Sequence, residues 1–216
     1  MQLLPCAILD MDGTMLDSSG MWDQVGCRVL EPWGVRYTPQ ESSDTATMTV
    51  EGAAAYFVQR FRLPVTPQQL AVSIREHARI AYTTQATLKP GVARALDAMR
   101  RRGVTLCVAS GTEKALVDAA LAHFGLLDRF AFTLSCATPR GKEEPEVYLR
   151  AAARLGATPD RIMVFEDSPT AVQTARRAGF YTVGVLDGYT RPQWPQVRAG
   201  ANAVLEDWNT WADQLD

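Results

Sequence analysis

Asp10 and Asp12 stand one residue apart in the run Asp10-Met11-Asp12-Gly13-Thr14, and the apolar stretch Cys6–Leu9 leads into them. Two carboxylates held so close repel unless a cation or a proton stands between them. With a hard divalent cation on oxygen ligands, one can attack phosphorus while the other moves protons. Alone, Asp12-Gly13 could merely supply a strand-terminal turn, so the later groups decide. Ser110-Gly111-Thr112 ends the run Val104–Ala109 and precedes a helix, where a hydroxyl and backbone N–H groups make an anion cradle that Gly111 lets the backbone approach. Ordinary N-capping by Thr112 fits the same residues.

Gly141-Lys142 adds a cation. Of the 22 cationic residues only Lys89, Lys114 and Lys142 are lysine. A chain so biased toward arginine keeps at 142 a compact point charge suited to a phosphate oxygen; a surface lysine before a helix is the plain alternative. Glu166-Asp167-Ser168 follows the apolar run Ile162–Phe165 and can complete an oxygen cage for magnesium, with helix capping by Asp167 or Ser168 as the competing use. Two carboxylate pairs, a hydroxyl and one ammonium at the ends of apolar runs suit a magnesium-dependent phosphoryl-transfer site.

Those runs must be strands of one sheet. Strand-length apolar segments occur at Cys6–Leu9, Val104–Val108, Ala131–Leu134, Ile162–Phe165 and Thr182–Val185, with a weaker one at Ala203–Leu205. Helical patterns lie between most of them. Val92, Leu96 and Met99 share a face that ends at Gly103, and Leu116, Ala120 and Phe124 share one that ends at Gly125. Pro145 and Pro169 sit at first helical positions of two more, closed by Gly156 and Gly179. Strands alternating with helices predict an α/β fold with a parallel, Rossmann-like sheet.

From about Leu16 to Thr87 the rhythm breaks. Helical patterns near Met21–Trp33, Val50–Phe61 and Gln68–Thr84 come without a convincing strand, and Thr66-Pro67 reads as an N-cap followed by a first helical proline. This predicts an all-helical cap, residues 17–87, inserted into a core of residues 1–16 and 88–216, with hinges at Met15–Ser19 and Ala86–Gly91. Three helices packed permanently on the core, without lid motion, is the alternative. The stretch Thr38–Gly52 and the face around Met21, Trp22 and Met48 are expected to select the substrate.

Length and composition fit this plan: 216 residues, 47% hydrophobic, suffice for one α/β domain and a smaller lobe. A net charge of −2 gives no basic face for nucleic acid, and Arg100-Arg101-Arg102 reads as the cationic last turn of a helix. Cys6, Cys27, Cys107 and Cys136 show no CxxC spacing, and Cys6 and Cys107 fall in expected buried strands, which suits a reducing cytoplasm. Met1–Leu9 lacks a cationic start, and no apolar run approaches the ~20 residues of a membrane helix. His77 and His123 lie in helical segments away from every motif, so no serine–histidine or cysteine–histidine hydrolase is indicated.

In order and spacing the four motifs resemble the haloacid dehalogenase superfamily, in its phosphatase and β-phosphoglucomutase-like branch with a helical cap after the first strand. The resemblance covers nearly the whole chain. It implies Asp10 as the nucleophile that forms an aspartyl-phosphate, Asp12 as general acid and base, and Ser110, Gly111 and Lys142 around the transferring group. It also implies Mg²⁺ held by the Asp10 carboxylate, the Asp12 main-chain carbonyl, Glu166 and Asp167. Glu143 departs from the proline the family often carries after the lysine. Within the family, Asp12 favours phosphate esters over carbon–halogen bonds, and the absence of any lysine between Met15 and Leu88 removes the Schiff-base route of the phosphonatases. Trp22 stands where the related mutases carry a cap histidine, so hydrolysis of a small phosphorylated metabolite is expected, with Trp22 near enough to touch it. A sugar-phosphate mutase and a phospho-accepting signalling module are the alternatives. The expected protein is a cytoplasmic monomer or weak dimer without nucleic-acid or membrane partners.

Overall fold

The computed structural model describes residues 3–45, 48–136 and 140–215. The chain opens with strand β1 (Cys6–Leu9), a two-residue strand β2 (Leu16–Asp17), and then helices α1 (Ser19–Leu30), α2 (Pro39–Thr45), α3 (Val50–Phe61) and α4 (Pro67–Thr84). A second two-residue strand, β3 (Thr87–Leu88), leads into α5 (Val92–Arg101), β4 (Thr105–Ser110), α6 (Lys114–His123), β5 (Thr133–Ser135) and α7 (Glu146–Leu155). The chain finishes with β6 (Ile162–Glu166), α8 (Pro169–Arg177), β7 (Tyr181–Val185), α9 (Trp194–Gly200), β8 (Ala203–Leu205) and α10 (Trp208–Leu215).

Among the described residues, six strands form one parallel sheet in the order β5-β4-β1-β6-β7-β8. Successive strand residues point to opposite faces, and both faces of this sheet are covered. Leu9, Val108, Phe165 and Val183 join one apolar cluster with Val92, Leu96 and Met99 of α5 and Trp208 and Trp211 of α10. Ile8, Cys107, Ala109 and Val164 join the other, with Val147 and Tyr148 of α7 and Ala175 of α8. Burial on two sides is why these strands read as unbroken apolar runs. β1 lies between β4 and β6, so the chain leaves it at the point where successive strands diverge, and a crevice opens there at the carboxyl ends.

The expected parallel sheet and helices are present, with shifts at their ends. β4 starts one residue later than expected and continues to Ser110; β5 begins at Thr133 rather than Ala131. Pro145 is the N-cap of α7 rather than its first helical residue, whereas Pro169 does open α8 and Thr66 caps α4 in a full capping box.

The stretch between β1 and α5 differs in two respects. α2 falls inside what the sequence leaves as loop, because Pro-Gln-Glu-Ser-Ser-Asp-Thr offers no apolar periodicity. The two crossings are also not free linkers: β2 and β3 pair antiparallel, Leu16 with Leu88 and Asp17 with Thr87. Positions 46 and 47 of the Thr38–Gly52 stretch, and residues 1 and 2 before β1, lie outside the described residues. Among the described residues, no helix is long and apolar enough to cross a membrane.

Candidate active site

The backbone after β1 is pinned before any side chain is considered. Asp10 N–H donates to the Phe165 carbonyl (3.0 Å), Gly13 N–H to Leu16 (2.8 Å), and Met15 N–H back to Met11 (2.9 Å). Trp208, buried on α10 and stacked on Phe165, donates its indole N–H to the Thr14 carbonyl at 3.1 Å. Gly13 has φ +76°, and a Cβ there would lie 2.5 Å from Asp167 Oδ2. Only glycine allows the loop to wrap so closely around that carboxylate.

Asp10, Glu166 and Asp167 are buried, and an oxygen from each lies within 4.8 Å of the others. Lys142 reaches in from a 3-10 turn to bond both Asp10 and Glu166. The Tyr148 hydroxyl donates to Glu166 Oε1 (2.9 Å), while Thr14 and Thr190 donate to the two oxygens of Asp167, each at 3.2 Å. Burial pushes the Glu166 carboxyl up to about 7, against the Lys142 ammonium and with help from Asp10. Burial, then the charges of Asp10 and Glu166, raise Asp167 well above the carboxylate range. For Lys142, burial favours loss of the proton, but Asp10 and Glu166 outweigh it and hold the ammonium above its ordinary value. Three carboxylates share one ammonium, and all the donors are hard oxygens. Such a set fits a divalent cation.

Asp12 belongs to a different environment. Its Oδ1 accepts from the Ser18 hydroxyl (2.6 Å) and its Oδ2 from Thr112 (2.8 Å), while the Tyr82 hydroxyl on α4 reaches both oxygens at 2.8 and 3.0 Å. Burial, then the charge of Asp10, raise the Asp12 carboxyl above its usual range, partly countered by those three donors. Two carboxylates one residue apart are thus pushed toward different work, one on an ammonium and a metal-fitting cluster, the other in a hydroxyl ring able to hold a proton.

Asp10, Asp12, Trp22, Ser110, Gly111, Lys142, Glu166 and Asp167 all line one cavity of about 540 Å³, as does Met48, whereas Met21 is buried in the apolar core away from it. Trp22 sits edge-on to Tyr82, with ring centroids 6.1 Å apart. Neither His77 nor His123 lines the cavity. Some competing uses of these residues are corrected. Glu113, not Thr112, occupies the N-cap of α6, because the Thr112 hydroxyl is spent on Asp12. Lys142 is half-buried and paired with two carboxylates rather than a free surface charge, and it lies several residues beyond β5 rather than at the strand's end. Ser168, with its hydroxyl 3.5 Å from Ala171 N, caps α8 and leaves Asp167 to the site.

Sequence reasoning missed Ser18, Tyr82 and Thr190, and also a second half-buried cation. Lys89 pairs with Asp187 at 2.9 Å and donates to the carbonyls of Gly13 and Leu186. It ties the exit from β3 to the Asp10 loop and to the end of β7. The arginine bias that points to Lys142 points equally to Lys89; the sequence held that signal.

The chain matches the model of the haloacid dehalogenase-like hydrolase family over residues 4–179. It is 29% identical over 187 residues to the "Probable pseudouridine-5'-phosphatase" of Drosophila melanogaster, covering 83% of this chain and 80% of that one. It is 30% identical over 179 residues to the fructose-1-phosphate phosphatase YqaB of Escherichia coli K12, covering 82% and 94%. In fold it is similar to CbbY from Rhodobacter sphaeroides in complex with phosphate, with TM-score 0.81, 22% identity, and 98% and 100% of the two chains covered. The chain therefore belongs to the haloacid dehalogenase-like hydrolases. Within them it is a hydrolase of the phosphatase branch.

Proposed function

We propose that this chain hydrolyses a small phosphorylated metabolite with Mg²⁺ as its cation, through an aspartyl-phosphate on Asp10. The observation that carries this reading is the division of labour between Asp10, on the ammonium and the acidic cluster, and Asp12, in its hydroxyl ring. Asp10 attacks phosphorus in line as the ester P–O bond breaks, and protonated Asp12 gives its proton to the leaving oxygen. Asp12, now a carboxylate, takes a proton from the water that attacks the aspartyl-phosphate, releasing inorganic phosphate and restoring both aspartates. Lys142, the Ser110 hydroxyl and the backbone at Gly111 hold the phosphoryl oxygens. Asp10, Glu166, Asp167 and the Asp12 carbonyl would hold Mg²⁺, which when bound offsets the negative charge of the phosphoryl group.

Residues 17–87 act in this reading as a cap over a core of residues 1–16 and 88–216, hinged where β2 pairs with β3. Trp22 in the cavity, with both histidines outside it, favours hydrolysis over a mutase. The protein acts as a monomer or weak dimer in the cytoplasm, on a metabolite rather than nucleic acid. Turnover of p-nitrophenyl phosphate should vanish in EDTA and return with Mg²⁺. Undiminished turnover after verified metal removal sinks the metal-dependent reading.

A further inference from the structure

The end of the cavity remote from the phosphoryl site has a chemistry of its own. Its wall comes from α1–α4 and the segments between them, where Val25, Tyr37, Phe57 and Ile74 give it an apolar surface. Among the described residues, no lysine or arginine of that wall faces the cavity. Several arginines of these helices are paired with carboxylates: Arg75 with Glu113 and Glu51, Arg79 with Glu76, Arg60 with Glu41. Among the described residues two cations line the cavity: Lys142 is held by Asp10 and Glu166, and Arg140 on the core side pairs with Glu144 at 2.7 Å. The wall does carry a carboxylate. Asp23, half-buried on α1, accepts from the Ser42 hydroxyl at 2.5 Å and keeps further lone pairs for the cavity, and among the described residues no cation pairs with it.

We infer that the substrate's leaving group carries no negative charge and offers hydroxyl donors to Asp23, and that Asp23 discriminates against carboxylated or doubly phosphorylated esters. The inference rests on the phosphatase reading of the same cavity. A second anion on the leaving group would lose its hydration, find no cation on that wall, and face the Asp23 charge, and like charges brought together in this way disfavour binding. A hydroxylated neutral chain instead satisfies the Asp23 oxygens and lays its carbon backbone on the apolar surface. The volume of about 540 Å³ is also far more than a two-carbon ester fills.

The matched probes are sorbitol 6-phosphate and 6-phosphogluconate, which share a six-carbon chain and differ in a terminal CH₂OH or carboxylate. The expected result is a kcat/KM at least about tenfold higher for the hexitol ester. Asp23→Asn should shrink that ratio to below about threefold, chiefly through KM, since the near-isosteric amide removes charge and keeps shape. p-Nitrophenyl phosphate assayed on the wild-type protein separates the two readings. If none of the three esters is hydrolysed, the phosphatase reading fails. If the aryl ester turns over while the hexitol ester does not, or the wild-type ratio is near one or inverted, this inference alone is overturned. A ratio unaltered in Asp23→Asn removes Asp23 from the role.

Discussion

The two walls of the cavity are built on opposite plans. At the sheet edge, Asp10, Glu166 and Asp187 pair with Lys142 and Lys89, and hydroxyl donors meet both oxygens of Asp12 and of Asp167. On the helical side the surface is apolar, with Asp23 and Ser42 as one polar pair. Buried charge demands fixed partners at fixed distances, whereas an apolar wall needs only volume and shape. In the proposed reading, the sheet edge sets which reaction occurs, and the helical wall sets which molecule undergoes it. Tyr82 bridges the two, since it belongs to α4 and bonds Asp12.

Substitutions should separate the walls, beginning at the sheet edge. Asp10→Asn removes the nucleophile with little change of shape and should lower kcat by at least about a thousandfold, equivalent to about 4 kcal/mol, with circular dichroism unchanged. Retention of a tenth of the wild-type rate would take the nucleophile's role from Asp10. Gly13→Ala forces a Cβ onto Asp167 at a φ of +76°. It should weaken Mg²⁺ binding by about 10–100-fold in calorimetric titration and cost about 1–2 kcal/mol of folding stability. Unaltered metal affinity would separate Gly13 from the acidic cluster.

Tyr82→Phe tests the bridge. The Asp12 carboxyl loses one of its three donors, and kcat/KM for an alkyl phosphate should fall about tenfold, more than for an aryl phosphate whose leaving oxygen needs less protonation. Equal losses for both esters would mean that the phenol merely supports the fold. Lys114→Met should do least. Lys114 is exposed and pairs with Asp118 four residues on, so rate and stability should move by no more than about twofold and 1 kcal/mol. A larger change would mean that the third lysine is not the surface residue it looks.

The contrast also explains what could be read from the chain. Asp10, Ser110 and Glu166-Asp167 each sit at the end of a buried strand, and a strand buried on both faces announces itself as an apolar run, so the motif and its placement come from one local pattern. Tyr82 meets Asp12 across 70 positions, and Lys89 meets Leu186 across 97. Nothing in the residues around either pair announces the meeting. The antiparallel contact of β2 with β3 is not legible in the sequence because two residues cannot display a period of two. Nor is α2, because its residues are polar throughout. Asp23 carries no such signal, because a carboxylate on an amphipathic helix has the pattern of solvated surface whether or not a cavity lies beside it.

In the proposed mechanism the Asp10 carboxylate reaches phosphorus before water does. This order is tested most directly by the stereochemical course at phosphorus, using an aryl phosphorothioate made chiral with two oxygen isotopes and hydrolysed by the wild-type protein in water of the third isotope, which leaves a chiral thiophosphate. Attack by Asp10 followed by attack of water inverts phosphorus twice, so the predicted result is net retention of configuration. Net inversion would mean a single displacement by water and would contradict the account.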